Sequence, residues 1–434
     1  MKDLILDKSI FEKINFIIDR IEKNGFEAFL VGGSVRDALL SKTPYDYDIA
    51  SSAKIDEIKE IFSDFKIIDT GLKYGTVTLI LEDTPFEITT FRKNEKYTDF
   101  RKPDYLDFST SILEDLSRRD FTINAMAYNP TSKITDPFNA VEDLQNKIIR
   151  CVGDCNIRFN EDSLRIIRAL RFASVLDFKI EEKTSEGIKK HKKLLLNISK
   201  ERITSEFKKL ICGKACERII EEYFDVFYIL FPELKATFDF IPNSSHHKDS
   251  VLQHSLRVMK NLPKTTSFQI SGLFHDVSKP VVRRGHSKKS AEMAYVILTK
   301  YKFDNRTKNE VFDLIECHDF LIPEDKISLN KFISELGVPL FEKLLIFRKA
   351  DILGQKEDFY YRLKNLENIN KLYDEIKQTS ITSISELAVN GNDLKKIKIP
   401  EKKIGNTLHF LLNEVIENKV ENEKDKLLRY LLKN

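Results

Sequence analysis

Apolar residues change their period once along this chain, and that change limits the folds open to it. Through the first 150 of its 434 residues, helical and strand spacings alternate. Ile10, Phe11, Ile14, Ile17, Ile18 and Ile21 recur at helical intervals, and Gly25 stands where a helix would stop. Residues 28–31 read as a buried strand ended by Gly32-Gly33, with a short helix over 35–40 behind it. Residues 46–49, 76–81 and 86–91 are strand-like, and 55–62 are helical. From about Asn160 onward strand signals almost vanish. Leu164, Ile167, Leu170 and Phe172, and later residues 332–345, keep helical spacing, with breaks near Pro232, Pro242, Pro323 and Pro400. The pattern predicts an α/β head over 1–150, a helical neck over 151–230, a helical body over 231–360 and a helical tail over 361–434.

Thirty-one phenylalanines exclude a wholly disordered chain, while 14 glycines and 12 prolines are too few for a turn-dense all-β fold. The net charge of +3 carries no message by itself, but residues 178–210 hold ten basic against five acidic side chains. A basic neck of that kind can follow nucleic-acid phosphates without reading sequence. Lys189, Lys190, Lys192, Lys193, Arg202 and Lys209 are its candidate RNA contacts, and Lys395, Lys396, Lys398, Lys402 and Lys403 form a second basic cluster. The N-terminus is charged at once, and the densest apolar run, 224–231, is interrupted by Asp225. A membrane span needs about 20 apolar residues, so a cytoplasmic chain without a membrane partner is expected. Cys151, Cys155, Cys212, Cys216 and Cys317 are expected to be reduced thiols rather than zinc ligands.

Asp46 and Asp48 flank Tyr47 on the predicted 46–49 strand. Residues i and i+2 of a strand share a face, so the two carboxylates would converge and suit Mg²⁺. A lone Asp-x-Asp is common on solvated strands; the segment upstream gives this one meaning. Gly32 and Gly33, between strand and helix, let backbone N–H groups approach a phosphate at the positive end of the helix, and Arg36 supplies a planar donor to the same anion. Glu87 is a candidate third carboxylate. Asp162, Arg165, Arg168 and Arg171 are spaced by three, which on a helix puts them along one face. An acid beside an arginine can read a base edge: the acid accepts from an exocyclic amine while the guanidinium donates to ring acceptors.

The order of Gly32-Gly33, Arg36-Asp37 and Asp46-x-Asp48 resembles the DNA polymerase β-like nucleotidyltransferases. The longer series Ser117–Ala125, Asp136-Pro137-Phe138, Arg158–Arg165 and Arg202-Ile203 with Glu206 and Lys209 is similar to class II tRNA nucleotidyltransferases, the CCA-adding enzymes, and their poly(A) polymerase relatives. The resemblance implies a head with a polymerase β-like mixed sheet followed by an all-α neck, body and tail. It implies transfer of nucleotides from CTP and ATP to a tRNA 3′ end, with Asp46 and Asp48 as catalytic Mg²⁺ ligands. Gly32, Gly33, Arg36, Arg118 and Arg119 would hold or brace the nucleotide, and Asp162, Arg165, Arg168 and Arg171 would select its base. Ser41 and Ser51 depart from the family's usual Gly and Thr. A polar loop with Tyr97, Asp99, Arg101, Lys102 and Pro103 occupies the position of a loop that, in relatives, helps the switch from C to A addition.

His254, His275-Asp276 and Asp351 follow the order of the HD phosphohydrolase superfamily, centred on the segment from Leu273 to Pro280. His286 and His318 stand where such relatives place further ligands, and Ser278 replaces the commoner Gly. Imidazoles with carboxylates suit a transition metal, whose bound water attacks a phosphoester. The alternatives to CCA addition are an A-adding enzyme or poly(A) polymerase, an HD-type phosphohydrolase acting on RNA ends, and a non-catalytic RNA-binding protein.

Overall fold

A computed structural model describes Leu4 and residues 6–93, 108–241, 249–282 and 284–433. Tyr97, Asp99, Arg101, Lys102, Pro103 and Pro242 lie outside these residues. The chain forms two compact units, Met1–Leu230 and Phe231–Asn434.

The first unit opens with α1 (Lys8–Lys23), capped by the Asp7 carboxylate and burying Ile14, Ile17, Ile18 and Ile21 on its apolar stripe. There follow β1 (Ala28–Val31), α2 (Gly33–Leu39), β2 (Asp48–Ser51), α3 (Ile55–Ile61), β3 (Lys66–Gly71), β4 (Thr76–Leu81), β5 (Thr84–Thr90), α4 (Ile112–Ser117), β6 (Ala127–Asn129) and β7 (Lys133–Thr135). Seven strands form one sheet in the order β3-β4-β5-β2-β1-β6-β7. It is mixed: β2 runs parallel to β5, and the other pairs are antiparallel. Phe29, Val31, Ala50, Phe91, Ile112, Leu116 and Ala127 form a core between α4 and the centre of this sheet. Each large side chain withdrawn from water there contributes roughly 1.5–3 kcal/mol.

The unit continues with α5 (Ala140–Gln145), β8 (Ile148–Ile149), α6 (Cys155–Glu161), α7 (Leu164–Leu176), β9 (Lys179–Ile180), α8 (Glu182–His191), α9 (Lys200–Ile211), α10 (Cys216–Glu222) and α11 (Phe224–Leu230).

Two expectations are corrected here. The strand expected over 46–49 begins at Asp48, which leaves Asp46 in the bend before it. Asp162 does not share a helix with Arg165, Arg168 and Arg171: its extended backbone (φ −140°, ψ 101°) ends α6, and α7 starts two residues later. Ser41 has φ +56°, the left-handed conformation that explains why a glycine is usual there.

The second unit is helical throughout its described residues. Its helices are α12 (Val251–Asn261), α13 (Thr266–Phe274), α14 (His286–Lys300), α15 (Asn305–Cys317), α16 (Lys326–Leu336), α17 (Val338–Gly354), α18 (Arg362–Thr379), α19 (Gly391–Lys396), α20 (Glu401–Ile416) and α21 (Lys424–Lys433). The expected helix over 332–345 is two helices, because Gly337 at φ +85° breaks the chain between α16 and α17. Leu387, Val389, Leu394, Leu411, Leu412, Ile416 and Leu427 make a separate core among the last three helices. Among the described residues, no helix is long and apolar enough to cross a membrane.

Candidate functional site

A strand ending in two glycines sets up the first site. Gly32 adopts φ +71° and caps α2, which begins at Gly33. A Cβ on Gly32 would stand 2.6 Å from Nη1 of Arg119, so backbone conformation and space both require glycine. Ser34 then ties this turn to the acidic segment: its hydroxyl donates to the Asp46 carbonyl (3.1 Å) and accepts from the Asp48 amide (3.2 Å). Register places Glu87 of β5 beside Asp48 of β2. Burial pushes the Asp48 carboxyl up to about 6, Asp46 adds to the rise, Arg119 opposes it and Glu87 adds again. Asp46, Asp48 and Glu87 line one cleft and offer carboxylate oxygens, the donor type that a hard divalent cation takes.

Arginines surround these acids. Arg118 and Arg119 are both braced by the buried Asp115, at 2.7 and 3.1 Å. Arg36 grips Asp37 through Nε and Nη2 and donates from Nη1 to Asn124 Oδ1 at 2.7 Å. Arg165 pairs with Glu161 (2.8 Å) and donates to the Arg118 carbonyl (3.0 Å). Arg168 binds Asp120, and Arg171 lies 3.0 Å from Glu206. Asp162 takes the Leu164 amide on one oxygen and Arg202 on the other.

One cleft of about 670 Å³ is lined by Gly32, Gly33, Arg36, Asp46, Asp48, Glu87, Arg118, Arg119, Asp162, Arg165, Arg168, Arg171 and Lys209. The structure therefore brings together every residue expected to handle metal or nucleotide in the head and neck. Among the expected RNA contacts, Lys189, Lys190 and Lys193 are exposed, whereas Lys192 is paired with Asp225. Arg202 stands beside Asp162 and Lys209 lines the cleft. Ser34, Asp115 and Asn124 were missed as site residues; Ser34 and Asn124 act through partners that spacing does not reveal, whereas the three- and four-residue spacing of Asp115 to Arg118 and Arg119 was a usable signal.

The second unit carries a different donor set. His254 on α12, His275 and Asp276 at the end of α13, His286 opening α14, His318 after α15 and Asp351 on α17 converge. Asp276 is shared. Its Oδ2 lies 3.2 Å from His275 Nε2 and 3.8 Å from His254 Nε2, and its Oδ1 lies 3.3 Å from His286 Nε2 and 3.8 Å from His318 Nε2. Asp351 Oδ1 is 3.0 Å from His254 Nε2.

Nδ1 of His254, His275 and His318 faces the carbonyls of Gly354, Gly272 and Ile315 at 3.3, 2.9 and 2.6 Å. An Nδ1–H donated outward leaves each Nε2 lone pair facing inward, the arrangement in which a metal-ligating imidazole is held. Asp276 Oδ1 is buried without a hydrogen bond of normal geometry, as a ligand atom awaiting a cation would be. Burial alone would raise the Asp276 carboxyl, but His275 and Lys279 outweigh it and hold the group well below its usual range. A cavity of about 510 Å³ opens onto this cluster, with Lys279, Arg348 and Arg362 in its walls. The Ser278 hydroxyl is absorbed by the His286 carbonyl and Ser290.

The five cysteines are free thiols. Burial pushes Cys151 and Cys317 up to about 12, and among the described residues no cysteine belongs to a metal-binding group.

Comparison with known proteins covers most of the chain. Residues 28–150 match the family model of the poly A polymerase head domain. Residues 177–238 match a probable RNA and SrmB-binding site of polymerase A, and 286–431 a putative tRNA nucleotidyltransferase domain 2. The chain is 35% identical to the CCA-adding enzyme of Enterococcus faecalis over 98% of its own length and 96% of that protein's. It is 36% identical to that of Pediococcus pentosaceus, with 96% of both chains covered. The crystal structure of the Bacillus stearothermophilus CCA-adding enzyme in complex with CTP superposes with a TM-score of 0.73 at 27% identity, covering 98% of each chain. By full-length similarity as well as by fold, this chain belongs to the family of CCA-adding enzymes.

Proposed function

We propose that the protein adds C, C and A to tRNA 3′ ends from CTP and ATP, releasing pyrophosphate and using no nucleic-acid template. One observation carries this reading: acids, glycine turn and base-reading arginines line a single cleft, so one nucleotide can engage all three. Asp46 and Asp48, with Glu87 beside them, would hold Mg²⁺, which when bound activates the terminal 3′-hydroxyl and stabilises the departing pyrophosphate.

The turn amides at Gly32 and Gly33, with Arg36 and Arg119, hold the triphosphate, and Asp115 braces Arg119 together with Arg118. Asp162 keeps acceptor capacity beyond its two present partners, so it accepts from the amine of cytosine or adenine while Arg165 donates to the ring. Uracil and guanine would set a carbonyl against that acid. Lys189, Lys190 and Lys193 follow the tRNA backbone in the cytoplasm. The division of labour is head 1–150, neck 151–230, body 231–360 and tail 361–434.

The test offers tRNAs ending at the discriminator base, at C and at CC, with each nucleoside triphosphate separately. Addition of C, C and then A is expected. Incorporation of UTP or GTP at comparable rates overturns base selection by the protein, and long A tails on unrelated RNA reassign the chain as a poly(A) polymerase.

A second activity rests on the histidine–aspartate cluster: metal-dependent hydrolysis of phosphoesters at RNA ends. The imidazole-rich donor set supports it, as does the buried Asp276 Oδ1, which makes no hydrogen bond of normal geometry. Protein dialysed against Ni²⁺, Mn²⁺ or Co²⁺ should retain metal in proportion to chain and open RNA ending in a 2′,3′-cyclic phosphate. Protein that retains no metal removes this reading and leaves the first untouched.

A further inference from the structure

Arg36 sits at the phosphate end of the cleft and Arg168 on the base-reading helix α7, and a continuous chain of polar contacts joins them. Arg36 Nη1 donates to Asn124 Oδ1 at 2.7 Å, and Asn124 Nδ2 donates to Asp120 Oδ1 at 3.1 Å. Asp120 Oδ2 then accepts from Arg168 Nε and Nη2 at 2.8 and 2.6 Å. Arg168 continues to Glu206 Oε1 at 3.4 Å, and Glu206 Oε2 faces Arg171 at 3.0 Å.

The amide of Asn124 has one workable orientation. Turned over, it would set N–H groups against the guanidinium and its oxygen against the carboxylate, and both hydrogen bonds would vanish. Asn124 is 7% exposed in the 3₁₀ turn Thr122–Asn124, so solvent cannot replace either partner cheaply. Arg36, Arg168 and Arg171 also share the ring of Phe172, at 5.2, 5.6 and 3.9 Å. Phe172 thus limits how far each guanidinium can swing, while Asn124 sets the angle of Arg36 against the rest.

Resting on the nucleotide-addition reading, we propose that Asn124 is a positioning residue that couples the seating of the triphosphate at Arg36 to the placement of the base-reading arginines on α7. It touches neither reacting atom. Aspartate at this position would still accept from Arg36 but would face Asp120 as a second acid; alanine would leave Arg36 Nη1 and Asp120 Oδ1 each short of a partner. Arg36 and the α7 arginines grip parts of the nucleotide away from the reacting bond, in ground state and transition state alike, so their misalignment raises KM more than it lowers kcat.

Steady-state addition of CTP to a tRNA ending at the discriminator base, and of ATP to one ending in CC, supplies the test. Asn124→Ala is expected to raise KM for both nucleotides about tenfold with kcat within about threefold, the scale of one hydrogen bond to a charged group. Independently of that variant's folding, Arg36→Lys and Arg168→Lys are combined in the otherwise unaltered protein. Their effects on kcat/KM should depart from additivity by about fivefold or more, whereas uncoupled sites add. In the Asn124→Ala background the same pair should become additive. Additivity in the unaltered protein, or an unchanged KM in a folded Asn124→Ala variant, overturns the proposal. A wild-type chain that transfers neither CTP nor ATP fails the function reading instead, so the two failures are told apart.

Discussion

The acids of the head and the histidine–aspartate cluster of the second unit both gather carboxylates, but in opposite surroundings. In the head, Asp48 is held by Ser34, and burial first, then Asp46 and Glu87, raise its carboxyl to about 6 against the pull of Arg119. In the second unit Asp276 lies among imidazoles and Lys279, which hold it well below its usual range. The head offers oxygens alone in a cleft lined by arginines; the second unit offers ring nitrogens, fixed from behind by backbone carbonyls. Oxygen-only donors suit a labile Mg²⁺ shared with substrate, and imidazoles suit a resident transition metal. Donor chemistry and the way each donor is oriented, more than burial, separate the two clusters.

The sharpest way to break this comparison is to remove one site and watch the other. Asp48→Asn should lower nucleotide addition by about 10³-fold or more, since metal stabilisation acts on the charge that develops in transfer. Its metal content after dialysis against Ni²⁺ should match the unaltered protein. A variant that loses both properties would show that the sites are not separate. The reciprocal change, Asp276→Asn, removes the shared ligand. It should abolish bound transition metal and cyclic-phosphate opening while CTP and ATP addition stay within about twofold, because Asp276 is held by His275, Lys279 and His286 of its own unit. Base selection is a smaller effect. Asp162→Ala should cut discrimination against UTP by about 10- to 100-fold, the value of one base-edge contact pair. Unchanged selectivity in competition assays would move the reading function away from Asp162.

What the sequence disclosed follows from range. Gly32, Gly33, Arg36, Asp46 and Asp48 lie within one short segment, where spacing and turn chemistry suffice to group them. Asp162 was legible as an acid near Arg165, but not as the end of α6, because its three-residue spacing runs on across a break that only the backbone reveals. Asp46 was likewise assigned to a strand that begins two residues later. Gly337 sits inside an apolar run whose helical period continues on either side, so the split between α16 and α17 was hidden. Strands β6 to β9, two or three residues long, are too short to show a period at all. The order of His254, His275, Asp276 and Asp351 was readable, while their convergence depends on helix packing across nearly a hundred residues. Ser34 acts through Asp46 and Asp48 and Asn124 reaches Arg36, tertiary partners of which composition carries no trace; Asp115 grips Arg118 and Arg119 at helical spacing, a local signal that was passed over.

Asp120 sharpens the comparison, because the first unit also holds a buried acid ionised, beside the cleft where Asp48 is raised. Burial would raise its carboxyl, but Arg168, the Asn124 amide and the Phe121 N–H bring it down to about 2. A carboxyl lowered by folding stabilises the native state fully above its unfolded value of 3.8, and that contribution fades as the pH falls toward 2. The shift corresponds to about 2 kcal/mol at neutral pH and to roughly half that at pH 3. In guanidinium titrations, the stability gap between the unaltered protein and Asp120→Asn should therefore narrow on going from pH 6 to pH 3. A pH-independent remainder will persist, since Arg168 then keeps only its longer pair to Glu206. A gap that stays constant, or widens, over that interval would mean that Asp120 is not held ionised by Arg168. The head's polar chain would then lack the charge on which its rigidity depends.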